Sequence, residues 1–120
     1  RCGWLDLVMA NYARKINGIS EWALTKLDVL SGLKELNICT HYHYQDQTLK
    51  NYPARPQILM EAKPIYQTLS GWENNLEKCR HYQDLPTEAK NYIEYIENET
   101  QTPVHYISVG PERNQVLLHQ

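Results

Sequence analysis

Two short apolar segments do most to limit the fold of this chain. Residues 21–28 contain an apolar run that ends in two charged residues around one leucine, and residues 104–109 read VHYISV. An apolar run of this kind is typical of a strand that is buried on both faces of a sheet. Because a helix is predicted between the two segments, they form the pattern of two neighbouring parallel strands joined by a crossover. The sequence therefore predicts an α/β fold.

Two flanking helices are predicted from apolar residues at three- to four-residue steps. The first covers residues 5–17 and is followed by Gly18, at the position where a left-handed C-cap is expected. The second opens at Pro86, which suits the first position of a helix, and ends before Pro103. We expect both helices to flank a mostly parallel sheet. The apolar stripe of the second helix consists of Ala89, Tyr92, Ile93 and Ile96.

An alternating segment predicts a small antiparallel flap. Residues 36–44 alternate with a period of two, which marks a half-exposed strand. We expect this strand to pair with the extended residues 65–69. The intervening residues 46–64 are loop-like and contain three prolines, although residues 57–62 allow a helical turn. Residues 116–118 predict a last short strand.

Charge and cysteine content exclude several classes of protein. The 120 residues carry a formal charge of -2, so the chain lacks the basic footprint of a nucleic-acid binder. No Lys/Arg run is longer than one pair and no apolar stretch spans a bilayer, so no membrane partner is expected. The three cysteines fit neither a disulfide framework nor a zinc ribbon, and Cys39 is expected to pack in the core. The sequence predicts a cytoplasmic protein with a single domain, residues 1–120.

The carboxyl ends of the two predicted parallel strands form the candidate binding site. Ligands of such sheets collect at these ends. Asp28 is suited to accept both donors of guanine, N1–H and the 2-amino group, and the stem of Lys26 is suited to cover one face of the base. Main-chain N–H groups from Ser108 to Gly110 are suited to donate to O6, because Gly110 has no β-carbon to keep the base away. These residues predict a guanine site.

Adenine fails the same test at two positions. Its N1 is an acceptor that faces the carboxylate, and its 6-amino group faces main-chain donors. Each polar group left buried and unpaired costs about 1–3 kcal/mol. On spacing alone, however, a solvated lysine and a turn-capping aspartate also explain the Lys-x-Asp triplet. No phosphate loop of the G-x-x-x-x-G-K type occurs in the chain, so the phosphates of a nucleotide need residues from elsewhere.

Three other groups of residues are weaker candidates. His41 and His43 share a strand face, but no third metal ligand completes the set, so exposed strand histidines explain them. The Cys-Arg-His run at residues 79–81 resembles a nucleophile beside a base only in linear sequence. An acidic face near the second helix is explained by solvation. Its members are Asp84, Glu88, Glu94, Glu97 and Glu99.

Several blocks of sequence resemble the adenylosuccinate synthetase family, in the family's order and over nearly the whole chain. Together these blocks are far more specific than any one of them. The match is poor only at residues 45–63. The matching blocks are CGWLD from Cys2, TKLDVL with GL from Thr25, PIY with GW from Pro64, LP with AKNY from Leu85, and SVGPER from Ser108.

The resemblance implies a purine-biosynthesis ligase that joins IMP and L-aspartate with GTP and magnesium. In that family, GTP phosphorylates the 6-oxygen of IMP and aspartate then displaces the phosphate. The family's guanine contacts fall on Lys26 and Asp28, and on Ser108 and Gly110 through the main chain. The resemblance also implies a homodimeric parent enzyme with a P-loop-NTPase-like fold.

The resemblance further implies that the chain is the C-terminal portion of such an enzyme. The family's catalytic Asp and His, its phosphate loop and most IMP contacts lie upstream, so the chain alone is expected to be inactive and to bind no metal. Arg1 matches only the last arginine of the loop that binds aspartate. The absence of an initiator Met before Arg1 fits a fragment. A small non-catalytic α/β binding or interaction domain is the alternative.

Overall fold

The computed structural model describes residues 3–119, which form three helices, seven strands and three 3-10 turns. The helices are α1 (Leu7–Asn17), α2 (Pro56–Glu61) and α3 (Thr87–Thr100). The strands are β1 (Leu5–Asp6), β2 (Trp22–Leu24), β3 (Glu35–Tyr44), β4 (Gln47–Leu49), β5 (Lys63–Ser70), β6 (Val104–Ser108) and β7 (Val116–Leu118). Among the described residues, no helix combines the length and the apolar character that a bilayer crossing requires.

The chain forms two compact units. The first unit comprises residues 1–19 and 37–68, and the second unit comprises residues 20–36 and 69–120. In the first unit, β1 runs parallel to β3, β4 runs antiparallel to β3, and β5 also pairs with β3. Its core is small, with Val8, Cys39 and Tyr42 in one buried cluster. Cys39 is only 3% exposed, so the prediction that it packs in the core is confirmed.

The second unit is built on a three-stranded sheet in the order β2-β6-β7. Strand β6 runs parallel to β2 and antiparallel to β7, and α3 packs against β6. The buried face of α3 carries the predicted stripe of Ala89, Tyr92, Ile93 and Ile96. Across the sheet, Val104, Ile107 and Leu117 are fully buried.

The main secondary-structure predictions are confirmed. The two apolar segments are neighbouring parallel strands, with Leu24 opposite Ile107, and the α/β class is confirmed by two sheets and three helices. Residues 36–44 pair with the segment around residues 65–69, as predicted. Gly18 ends α1 in the left-handed conformation, with φ 63° and ψ 38°. Both sheets combine parallel and antiparallel pairs.

Three boundaries differ from the sequence expectations. Helix α1 begins at Leu7, because Leu5 and Asp6 pair with β3 and the Asp6 side chain accepts the first free N–H groups of the helix. Strand β2 ends at Leu24, and its residues are half-buried or exposed rather than buried on both faces. Pro86 is the N-cap of α3 and lies one position before the helix, so its predicted place at the first helical position was wrong by one residue.

Candidate functional site

The first loop of the candidate site follows β2 and turns sharply at Lys26. Lys26 has a left-handed backbone, with φ 60°, and a 3-10 turn (Leu27–Leu30) begins immediately after it. Leu27 is only 1% exposed, so it anchors the turn in the core. The Lys26 side chain is exposed and Asp28 is half-buried. The buried Leu27 therefore fixes the main chain between the two polar residues Lys26 and Asp28.

The second loop follows β6 and is tied to the first. The main-chain N–H of Lys26 donates to the Ser108 hydroxyl oxygen at 2.9 Å. This bond holds Lys26 in a backbone conformation that a non-glycine residue rarely adopts. Because Lys26 follows β2 and Ser108 ends β6, and these strands are parallel neighbours, the two predicted loops meet at one sheet edge.

Gly110 lies directly against the side chain of Gln115. A β-carbon at Gly110 would overlap the amide group of Gln115, so the loop tolerates only glycine in this backbone position without rearrangement. The Val109 N–H donates to the Gln115 carbonyl at 2.8 Å, which fixes the start of the loop. The sequence predicted glycine at this position for close approach of a ligand, whereas the structure shows a packing reason for the glycine.

A cavity of about 260 Å³ opens beside Asp28 in the second unit. Its lining includes the acidic residues Asp28, Glu73 and Glu77, so it favours ligand groups that donate hydrogen bonds and disfavours phosphate. Gln115 donates to the Glu77 carbonyl at 3.2 Å, which connects this wall to the Gly110 loop. The remaining lining residues are Ser31, Gly32 and Asn75.

The alternative sites from the sequence have structural explanations. In residues 3–119, no three His, Cys, Asp or Glu side chains gather as a metal site. The His41 ring lies 2.9 Å from the Thr40 hydroxyl. The Glu97 carboxylate accepts the Val104 N–H at 2.8 Å, an anchor between α3 and β6. Arg1, the predicted remnant of an aspartate-binding loop, lies outside the described residues.

The segment Cys79–His81 is held as a turn and not as a nucleophile beside a base. The Asp84 carboxylate accepts the N–H groups of Arg80 and His81, both at 3.1 Å, and these bonds lower the pKa of Asp84. Burial raises the pKa of the Cys79 thiol, and the nearby Asp84 carboxylate adds to the effect. Both influences oppose thiolate formation, so this cysteine has no activated character.

Sequence reasoning missed Gln115, which is buried at the foot of the second loop. It is 8% exposed and belongs to a 3-10 turn (Arg113–Gln115) that is capped by Glu112. A signal was present in the sequence, because a glutamine three residues after an N-cap is the second half of a capping box. The pattern was hidden by the unusual Glu at the cap position.

Fold and site together define an α/β protein in which the loops after two parallel strands lie side by side. The family model for adenylosuccinate synthetase matches residues 1–117. The chain is 54% identical over 118 residues to adenylosuccinate synthetase from Lawsonia intracellularis and 46% identical over 117 residues to that from Salinibacter ruber. Both alignments cover 98% of this chain, and 28% and 27% of the respective relatives.

A solved structure agrees with these matches. The fully ligated adenylosuccinate synthetase from Plasmodium falciparum superposes with a TM-score of 0.95 and 40% sequence identity. This superposition covers all of the present chain and 29% of that structure. The chain belongs to the adenylosuccinate synthetase family, as the sequence resemblance predicted. It spans a little more than a quarter of the length of the relatives it matches.

Proposed function

We propose that this chain supplies the guanine-recognition part of a GTP-dependent ligase that joins IMP and L-aspartate in AMP biosynthesis. Membership of the family supports the reaction, in which GTP phosphorylates the 6-oxygen of IMP before aspartate displaces the phosphate. The proposed guanine contacts are the side chains of Lys26 and Asp28 and the main chain at Ser108 and Gly110. The parent enzyme is proposed to be a cytoplasmic homodimer.

One observation carries the proposal of a guanine site. The Lys26 N–H donates to Ser108 across the carboxyl ends of two parallel strands, so the two loops lie next to each other. A base between these loops has Asp28 on the side of its N1–H and 2-amino donors. Its O6 then faces the main-chain N–H of Gly110. Such a bidentate contact to a carboxylate is stronger than one between neutral groups.

The rest of the reaction needs parts that these residues do not provide. The sequence contains no G-x-x-x-x-G-K phosphate loop, and the family resemblance implies no metal ligand among these residues. The acidic lining of the Asp28 cavity also suits the base rather than the phosphates. GTP phosphates, Mg²⁺, IMP and L-aspartate are therefore assigned to the remaining length of the enzyme. We expect no adenylosuccinate formation from the 120-residue chain alone, and sustained turnover by it would contradict this assignment.

We further propose that the chain is the C-terminal portion of the enzyme. The resemblance places the phosphate loop and the catalytic Asp and His before these residues, and none of those motifs lies inside them. Sequencing the gene on both sides tests this placement. We expect about 300 codons before Arg1, the length that remains when the chain makes up 28% of a relative. A similar length after Gln120 would contradict it, and short flanks on both sides would favour a small non-catalytic domain.

The substitution Asp28→Asn in the full-length enzyme tests the guanine site. An amide cannot accept both guanine donors, so kcat/KM for GTP should fall about one hundredfold. Xanthine carries a carbonyl where guanine has its 2-amino group, so use of XTP should improve. The measurement is the kcat/KM ratio of GTP to XTP, with IMP and L-aspartate saturating.

A matched control is Asp46→Asn, the same chemical change at an exposed residue of the first unit. Asp46 has φ 62°, a conformation that asparagine tolerates well, so the control should fold normally and keep the GTP preference. If Asp28→Asn leaves the GTP to XTP ratio at the wild-type value, Asp28 does not read guanine and the proposed site is wrong.

A further inference from the structure

Gln115 is a buried polar side chain that connects both walls of the candidate site. Its Oε1 accepts the main-chain N–H of Glu112 at 2.9 Å, and its Nε2 donates to the Glu77 carbonyl at 3.2 Å. Only 8% of the residue is exposed to solvent. A buried amide satisfied at both ends is held in one orientation, because reversing it would set donor against donor and acceptor against acceptor.

The same amide group forms the floor under Gly110. Its oxygen, carbon and nitrogen all occupy the place where a β-carbon of residue 110 would lie. The Gln115 carbonyl accepts the Val109 N–H at 2.8 Å, and the Gln115 N–H donates to Glu112 at 3.0 Å. Gln115 thus makes three hydrogen bonds to residues 109–112, which restrict the main-chain conformation of this loop.

We propose that Gln115 is a positioning residue that aims the main-chain N–H of Gly110 toward the 6-oxo group of a guanine base. This inference rests on the proposed function, and it adds a residue that makes no contact with the base itself. Asp28 reads the donors at N1 and the 2-amino group. Gln115 affects recognition of O6, because it fixes the position of the loop at residues 109–112 relative to Asp28.

Gln115→Met in the full-length enzyme is the main test. Methionine keeps the length and fills the floor under Gly110, but it loses both hydrogen bonds. The KM for GTP should rise about tenfold with kcat little changed, since the lost interaction is uniform binding of the base. The KM values for IMP and L-aspartate should stay within about twofold of wild type.

A modified base gives a readout that a merely structural role would not change. In 6-thio-GTP, sulfur replaces O6 and accepts hydrogen bonds more weakly than oxygen. The wild-type enzyme should prefer GTP over 6-thio-GTP, and this preference should shrink toward equality in Gln115→Met. The GTP to XTP ratio should remain as in wild type. Asn114→Met, at the exposed neighbouring position, is the matched control and should leave all ratios unchanged.

A second variant covers the case in which Gln115→Met does not fold. Gln115→Glu keeps an acceptor for the Glu112 N–H but places a carboxylate oxygen against the Glu77 carbonyl. Protonation of that carboxylate restores a donor, so its KM for GTP should approach the wild-type value as the pH is lowered from about 8 to about 6. Wild type and Asn114→Met should not show this change.

The outcomes separate the positioning role from the site itself. If Asp28→Asn shifts the GTP to XTP ratio while the Gln115 variants keep a wild-type KM for GTP, only the positioning role is wrong. A raised KM with an unchanged preference over 6-thio-GTP would also overturn it, because Gln115 would then be structural only. If Asp28→Asn has no effect, the proposed guanine site itself is wrong.

Discussion

The two units of the chain use similar helices in different ways. In the second unit, the apolar stripe of α3 is buried against β6, and Ile93 is fully buried. In the first unit, α1 buries only Leu7 and Val8, while its larger apolar residues further along stay exposed. These exposed side chains are Met9, Tyr12 and Ile16, at 48%, 44% and 61%. Apolar residues at three- to four-residue steps therefore predict a helix in both units. They do not predict which of these residues are buried within this chain.

The two units also differ in the interactions that stabilise their cores. Among the described residues, the fully buried branched side chains lie mostly in the second unit, around α3 and β6. The first unit relies on a smaller cluster beside a polar link, in which the Tyr42 hydroxyl donates to the Asp6 carboxylate. The second unit, which carries the candidate site, is thus built mainly on apolar burial. The first unit adds this hydrogen bond to a small apolar cluster.

The largest effect is expected from removing apolar volume in the second unit. Ile93→Ala should lower the free energy of unfolding of the 120-residue chain by about 3–4 kcal/mol, because it leaves a cavity in a packed core. Ile16→Ala is the matched control, since it makes the same change inside a helix at a 61% exposed position. It should change the stability by less than about 1 kcal/mol. Urea unfolding followed by circular dichroism measures both, and equal losses would break the contrast.

The second effect concerns the polar link of the first unit. Asp6→Ala removes the oxygen that accepts the Val8 and Met9 N–H groups at 2.9 and 3.2 Å, and it leaves the buried Tyr42 hydroxyl without this partner. The expected loss is about 2–3 kcal/mol, from one helix cap and one unpaired hydroxyl. Asp6→Asn keeps a capping oxygen and should lose about 1 kcal/mol. Equal stability of wild type and Asp6→Ala in urea unfolding would show that the link is dispensable.

The sequence predicted those parts of the fold that depend on local pattern. The parallel pairing of β2 and β6 and the buried stripe of α3 followed from apolar periodicity. The left-handed cap at Gly18 followed from glycine alone. Each of these features is set by residues close in sequence or by a rule of chain connection, so no three-dimensional information was needed.

The details of the candidate site depended on contacts between distant residues. Lys26 adopts a left-handed conformation that its own preference opposes, and the stabilising partner is Ser108, 82 residues away. The role of Gln115 depends on Glu77, which is 38 residues earlier. No local pattern contains such pairs. The choice of Lys26, Asp28, Ser108 and Gly110 as guanine contacts stays a prediction.

The smallest expected effect is a difference in alkylation rate between Cys39 in the first unit and Cys79 in the second unit. Burial, with the Asp6 carboxylate as a second cause, raises the pKa of the Cys39 thiol to about 11. Cys79 in the second unit is only half-buried, although its pKa is also raised. At about pH 8, iodoacetamide should therefore modify Cys79 at least about tenfold faster than Cys39, because the Cys79 thiol is more accessible. Peptide mass spectrometry of the folded 120-residue chain gives the two rates.

The pH dependence of this reaction separates thiolate chemistry from opening of the core. Below its raised pKa, the Cys39 thiolate fraction grows about tenfold for each pH unit, so its rate should climb steeply between about pH 8 and 10. The raised pKa also means that the unfolded chain loses this proton first, so the first unit loses stability as the pH rises from about 9 toward 11. In denaturant, the two cysteines should react at similar rates. If Cys39 already matches Cys79 at neutral pH without denaturant, the cluster of Val8, Cys39 and Tyr42 opens readily, and the polar link at Asp6 does not hold the first unit closed.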